Sequence, residues 1–186
     1  SSMGLIVAAP TAGSSGIVPG LLLALQEEYH FSDSQILDAL FNAGAIGYLA
    51  MRNATVAGAV GGCQAEVGVA SAMAASAAVE LMGGSPVQCL DAASTVLMNM
   101  LGLVCDPIGG LVEWPCQGRN AAGAANALTA AEIALSGVRQ LIPFDEMLDA
   151  MYAVGRRLPQ ELRETAMGGC AVTPSGCGAF CSGCMD

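Results

Sequence analysis

Two stretches of this sequence, Val67–Leu81 and Ala121–Leu135, are built almost wholly from alanine and other small or apolar residues, and each carries a single charged side chain. Alanine is the strongest helix former, and a helix that is apolar all round is stable only when buried on more than one side. Both stretches are therefore expected as central helices of a bundle, where short side chains let neighbouring axes approach closely. Composition extends the constraint to the whole chain. Of 186 residues 54% are apolar, yet only 4% are aromatic and 24 are glycine, so small side chains must fill most of the core.

Helix punctuation recurs along the sequence, and no segment alternates apolar and polar residues over strand length. A helix is expected over Val18–Tyr29. Ser32 with Gln35 forms a capping-box pattern ahead of Ile36, Leu37, Leu40 and Phe41. Ser85-Pro86 reads as an N-cap with proline at the first helical position, followed at helical spacing by Leu90, Ala93, Leu97, Met100, Leu101 and Val104. That helix is expected to end near Cys105-Asp106-Pro107. Pro143 opens another, with Met147, Leu148, Met151 and Val154 on one face. The fold class is all-α, a compact bundle of about six to eight helices with buried Ala-rich central helices. Residues 1–174 are expected to form one helical domain and residues 175–186 a flexible Gly/Cys-rich tail.

Six cationic side chains, all arginine, face sixteen carboxylates, for a formal charge of −10. Such a surface argues against nucleic acid or an anionic membrane as partner. The chain has no lysine, so it cannot form a Schiff base with pyridoxal phosphate or supply the lysine of a P-loop. Its single histidine, His30, follows Glu27-Glu28 and reads as a surface residue, which argues against a His-rich metal site or a local Ser-His-Asp triad. Ser1 to Gln26 lacks ionisable side chains, but Pro10, Pro19 and the polar run Thr11-Ala12-Gly13-Ser14-Ser15 interrupt it. Neither a membrane span nor a signal peptide is expected. The expectation is a soluble, cytoplasmic chain, and the missing start methionine points to a fragment or processed piece.

Eight cysteines can in principle form four disulfides, but a chain this long and apolar builds a core without them, so metal or redox chemistry is the better reading. Cys63 follows Gly61-Gly62, Cys105 precedes Asp106-Pro107, and Cys116 follows Trp114-Pro115. All three stand at helix ends or in loops, where free backbone N–H groups can bond a thiolate. A buried core cysteine remains an alternative for each, and it is the preferred reading for Cys89, which lies inside a helix.

Six segments, in order, carry a resemblance. They are Ala8-Ala9-Pro10-Thr11-Ala12-Gly13-Ser14, Asn53-Ala54-Thr55, Gly62-Cys63-Gln64-Ala65-Glu66-Val67-Gly68, Gly102-Leu103-Val104-Cys105-Asp106-Pro107, Pro115-Cys116 with Arg119-Asn120-Ala121, and Arg163-Glu164-Thr165 with Gly168-Gly169. Together they resemble the iron–sulfur-dependent L-serine dehydratases, and most of all the alpha chain of the two-chain form, up to about Gly176. The resemblance implies a helical fold, a [4Fe-4S] cluster held at Cys63, Cys105 and Cys116, and no pyridoxal phosphate. It implies L-serine as substrate, dehydrated to aminoacrylate and then to pyruvate and ammonia. Further N-terminal sequence, a beta chain or beta domain, and an oligomeric enzyme are implied as well. Three thiolates on a cubane leave one iron without a protein ligand, able to act as a Lewis acid on the substrate hydroxyl.

For the amino acid itself, Thr11, Gly13 and Ser14 offer hydroxyls and amides just before a helix start, where a carboxylate can be held, unless they form an ordinary N-cap turn. Asn53 and Asn120 are candidate amide ligands. Arg119 or Arg163 can supply a bidentate fork, with a structural ion pair as the alternative for each. Gln64 and Glu66 flank the first cysteine as candidate supporting partners. No residue is singled out as the general base. Two other readings stay open: a non-catalytic helical module with structural zinc or core cysteines, and a related lyase acting on threonine or cysteine. In the tail Cys177, Cys181 and Cys184 have C-x3-C-x2-C spacing. No barrel sequence follows them, so radical S-adenosylmethionine chemistry is not expected. A terminal thiolate can instead reach back to the open iron, or the tail can bind zinc or lie free in solvent, and Cys170 can join either arrangement.

Overall fold

The computed structural model describes residues 4–180. Eight α-helices are formed among them: α1 (Ile17–Tyr29), α2 (Asp33–Asn53), α3 (Gly58–Gly61), α4 (Val69–Leu81), α5 (Pro86–Asn99), α6 (Cys116–Leu135), α7 (Phe144–Gly155) and α8 (Pro174–Phe180). A π-helical turn, Gln64–Gly68, leads into α4. No named strand occurs among the described residues; the only β-type pairing there is an isolated parallel bridge between Cys105 and Arg163. The all-α expectation holds, and no helix of the described residues is long and apolar enough to cross a membrane.

The alanine-rich Val67–Leu81 stretch is the axis of the bundle. Every residue of α4 except Glu80 is buried, and α1, α2, α5 and α6 all pack on it. Its two serines are satisfied inside the core: Ser71 Oγ donates to Val67 O at 2.7 Å and Ser76 Oγ to Asn42 Oδ1 at 2.6 Å. Asn42 in turn donates to the Cys89 sulfur at 3.7 Å, which makes Cys89 part of the α2–α4–α5 core. The second alanine-rich stretch behaves differently from the expectation. Helix α6 buries only one stripe, Gly123, Ala127, Ala130, Ala131 and Ala134, and leaves Ala121, Ala122 and Ala125 exposed. Small size serves close approach here: a Cβ on Gly123 would stand 2.5 Å from Ser71 Oγ and 2.9 Å from Ile17 Cδ1.

Both capping boxes form as the sequence predicts, Ser32 with Gln35 and Ser85 with Gln88. Pro143 caps α7, whose Met147, Leu148 and Met151 are buried. Helix α5, however, ends at Asn99, short of Cys105. Gly102 takes a left-handed conformation, φ +85°, and its N–H donates to Gln64 Oε1 at 2.8 Å, so a tertiary bond stops the helix that side-chain periodicity would continue. Pro174–Phe180 is helical, with Gly176 buried against the Cys170 and Ala171 carbonyls, while Cys181 and Cys184 lie outside the described residues.

Glycine at position 155 is dictated by contact. A Cβ there would stand 2.6 Å from the Gly61 Cα and 3.0 Å from its carbonyl oxygen, so Gly155→Ala must push α7 off the α3 turn. Overpacking of this kind costs about 1–3 kcal/mol. Thermal unfolding should show Gly155→Ala lowered by several degrees, whereas Gly44→Ala, on the exposed side of α2 with open space around it, should gain stability of about 0.5–1 kcal/mol.

Candidate metal centre

Three separate chain segments deliver the three cysteines to one place. Gly62, φ +75°, turns the chain sharply between α3 and Cys63; a side chain there would meet Leu103 O at 2.8 Å and Leu158 Cδ1 at 2.7 Å. The π turn that follows carries Glu66 back over Cys63, a distortion of a kind found often at functional sites. Cys105 is held in extended backbone: its N–H donates to Leu162 O at 2.9 Å, and its carbonyl accepts from the Glu164 N–H at 2.7 Å. Cys116 is the first residue of α6. All three are buried and free. The sulfurs of Cys63 and Cys105 and a carboxylate oxygen of Glu66 lie within 4.8 Å of one another. Gly58 makes room for them, because a Cβ at that position would stand 2.5 Å from Glu66 Oε2 and 3.2 Å from Cys105 Sγ.

Charge is distributed unevenly over this group. Cys105 Sγ donates to Glu66 Oε2 at 3.7 Å, and the neighbouring Cys105 side chain holds the Cys63 pKa down against the effect of burial, with the Arg119 guanidinium adding to the depression. Cys105 is pushed up, by its interaction with Cys63 and by burial. Burial raises Cys116 too, and the charges of Cys63 and Glu66 raise it further, which places Cys116 within electrostatic reach of both. Glu66 is raised by burial, partly relieved by the Thr11 hydroxyl.

Arg119 is committed to the protein. Its Nη1 donates to Asp106 Oδ1 at 2.7 Å and to Val104 O at 2.9 Å, so the structure realises the ion-pair alternative rather than a free fork for a carboxylate. Burial opposes charge on Asp106, but the Cys170 N–H at 2.7 Å, the Cys170 thiol and Arg119 together hold its carboxyl below the usual range. Asn120 is likewise engaged: Oδ1 accepts from Gly16 N–H at 3.1 Å, and Nδ2 donates to Gly13 O at 2.7 Å and Cys116 O at 2.8 Å. It pins the Thr11–Gly16 loop to α6 beside the third cysteine. Within that loop Ser14 is fully buried, its hydroxyl bonded to Ala9 O and paired with Thr11 Oγ1 at 3.0 Å. Gly13, Ser15 and Gly16 line a cavity of about 480 Å³ with Cys116, Gln117 and Asn120.

The remaining candidates divide. Gln64 is structural, donating to Met151 O at 2.8 Å and accepting from Gly102. Asn53 ends α2, exposed, a few residues ahead of Gly58. Arg163 contributes backbone to the Cys105 bridge, and its buried Nε has no partner. His30 is exposed at the end of α1. Cys170 reaches the site only through Asp106, and Cys177 faces Ala171 O at 3.6 Å. A larger groove of about 740 Å³ lies between α2, α4 and α5, away from Cys63, Cys105 and Cys116. Asp106 escaped the sequence reading, although a carboxylate directly after a candidate ligand, in a chain with six arginines, was a signal for a buried pair. Gly58 gave no signal at all, since the space it leaves is visible only once Glu66 is in place.

The helical bundle thus brings two buried cysteines and a carboxylate within 4.8 Å of one another, with a third buried cysteine and an arginine on the neighbouring helix α6. Residues 1–171 match the serine dehydratase alpha chain family, and the chain belongs to that family. It is 54% identical over 176 residues to the probable L-serine dehydratase alpha chain of Bacillus subtilis, an alignment covering 95% of this chain and 59% of that protein. The L-serine dehydratase alpha chain of Peptoniphilus asaccharolyticus is 53% identical, with 95% and 60% covered. An L-serine dehydratase of Helicobacter pylori is 41% identical, with 93% of this chain and 39% of that protein covered. The chain thus spans 59–60% of the length of the two alpha chains.

Gln64 links Cys63 to both α7 and the turn before Cys105, and its replacement tests that linkage. Gln64→Met keeps the volume but leaves the Gly102 N–H without a partner and removes the tie from Gln64 to the Met151 carbonyl of α7. It should cost about 2–4 kcal/mol in denaturant unfolding, since each buried polar group left unpaired costs about 1–3 kcal/mol.

Proposed function

We propose that this chain is the cluster-carrying part of an L-serine dehydratase, with a [4Fe-4S] cluster on Cys63, Cys105 and Cys116. The observation that carries the reading is the meeting of two buried, free cysteines, Cys63 and Cys105, from segments distant in sequence, with a third buried, free cysteine, Cys116, at the start of α6. Soft thiolates suit iron–sulfur clusters, and a site that takes three of them from the chain suits a cluster with one open iron. When bound, such a cluster supplies Lewis acidity toward the substrate hydroxyl, whose departure as hydroxide is otherwise difficult.

The chain's own residues supply the setting. Burial of Cys63, Cys105 and Cys116 excludes water from the sulfurs. The loop over Thr11–Gly16, pinned by Asn120, forms one wall of the cavity beside Cys116 and presents backbone groups at the start of α1 to a small zwitterion. Glu66, raised by burial and bonded to Thr11, holds an acidic group at the sulfur site that can face the substrate ammonium. Loss of the α-proton and water from L-serine gives 2-aminoacrylate, which tautomerises and hydrolyses to pyruvate and ammonia. Pyridoxal phosphate has no lysine to attach to in this chain. The relatives named alpha chains support a companion beta chain, and a soluble cytoplasmic oligomer fits the reading.

Anaerobic reconstitution of the chain, alone and with its companion, tests the proposal. About four irons and four sulfides per chain are expected. Cys63→Ala, Cys105→Ala and Cys116→Ala should each lose the cluster and L-serine turnover, whereas Cys89→Ala should keep both. A colourless protein binding one zinc would instead favour the structural-metal reading, which the closeness of Glu66 to two cysteines supports. Comparing pyruvate formation from L-serine with turnover of threonine and cysteine fixes the substrate.

Oxygen gives a second check. Air should abolish activity of the loaded enzyme and iron(II) with a thiol reductant should restore it, while carbonyl reagents should have no effect. Full activity in air after exhaustive chelation would remove the cluster from the reaction.

A further inference from the structure

The one arginine whose charge bears on the cysteines is bonded on both sides of Cys105. Arg119 Nη1 donates to the carbonyl of Val104, directly before Cys105, and to the carboxylate of Asp106, directly after it. Arg119 stands on α6 three residues after Cys116, so both side chains lie on one helix face. Its guanidinium also lies beside the Cys63 sulfur. One planar cation therefore touches the segments of all three cysteines. Asp106 is 2% exposed and is itself held by the Cys170 N–H at 2.7 Å, with Gly169, φ +61°, packed against the carboxylate. That outer anchor fixes the pair's orientation.

We propose that Arg119, oriented by Asp106, is a positioning residue that sets a fixed positive charge against the thiolate-bound cluster, stabilising it in place and raising its reduction potential. The inference rests on the cluster reading given above. A guanidinium is well matched to this role, because it stays protonated, its donors are in a rigid fork, and two of them are already tied to oxygen on either side of Cys105. Three thiolates and Glu66 concentrate negative charge in a dry site, where a nearby cation acts with little screening. Adding an electron to the cluster increases that negative charge, so a cation held beside it favours the reduced form.

The experiment uses the chain reconstituted anaerobically with its companion. It measures iron and sulfide content, the midpoint potential by redox titration followed by electron paramagnetic resonance, and the lifetime of the cluster in air. Arg119→Gln is expected to shift the midpoint to more negative potential and shorten the lifetime, and Arg119→Lys, which keeps the charge and loses the fork, to recover most of the shift. If Arg119→Gln assembles no cluster and Arg119→Lys does, the charge requirement is supported by content alone. A Gln variant with wild-type potential and lifetime overturns the inference and leaves the cluster reading standing. Equal loss of cluster from the Gln and Lys variants also overturns it, because charge would then not be the contribution. Absence of iron and sulfide from the wild-type protein overturns both.

Discussion

One buried amide holds the two halves of the site in register. Gln64, next to Cys63, donates to the Met151 carbonyl in α7 and accepts from the Gly102 N–H in the turn that follows α5, while its own backbone N–H reaches Leu103 O at 3.0 Å. These bonds tie the turn after α5, which leads to Cys105, to the residue next to Cys63. Such a bond is strong because its surroundings are dry, and for the same reason it is costly to leave half made. Gly155 and Gly61 make the arrangement possible sterically by letting α7 come within backbone contact of the α3 turn beside the Gln64 side chain.

The order of the elements was largely legible, because capping boxes, prolines at helix starts and alanine-rich runs are local signals. What was not legible followed from tertiary bonds. The end of α5 depends on Gln64, a residue almost forty positions earlier, and the one-sided burial of α6 depends on how many neighbours surround it. For the site, the three cysteines could be placed by setting and by resemblance. The roles of Arg119 and Asn120 could not, since both side chains are equally suited to a substrate and to the protein's own carbonyls and carboxylates. In the structure Arg119 is bonded to Asp106 and Val104, and Asn120 to the Thr11–Gly16 loop.

The electrostatic design is economical in a chain with a formal charge of −10. Asp106 is bonded to the Arg119 guanidinium, Cys63 feels its charge, and burial pushes Cys105 and Glu66 up. A metal cluster that demands thiolates displaces protons from such a site, and its binding is coupled to pH and to the charge of its neighbours. The surplus of carboxylates lies mainly on the exterior, where water and salt screen it.

The three cysteines come from separate ends of elements: the start of the turn into α4, an extended segment after α5, and the first residue of α6. Cys105 is fixed, moreover, by pairing with Leu162 and Glu164, nearly sixty residues further along the chain. In folding terms this centre is a high-contact-order feature, formed only after long loops have closed and α7 has docked. A small zinc-bound domain can use its metal as the nucleus of folding. Here it is the packed bundle that brings the cysteine-bearing segments together, and the same packing buries Cys63, Cys105 and Cys116.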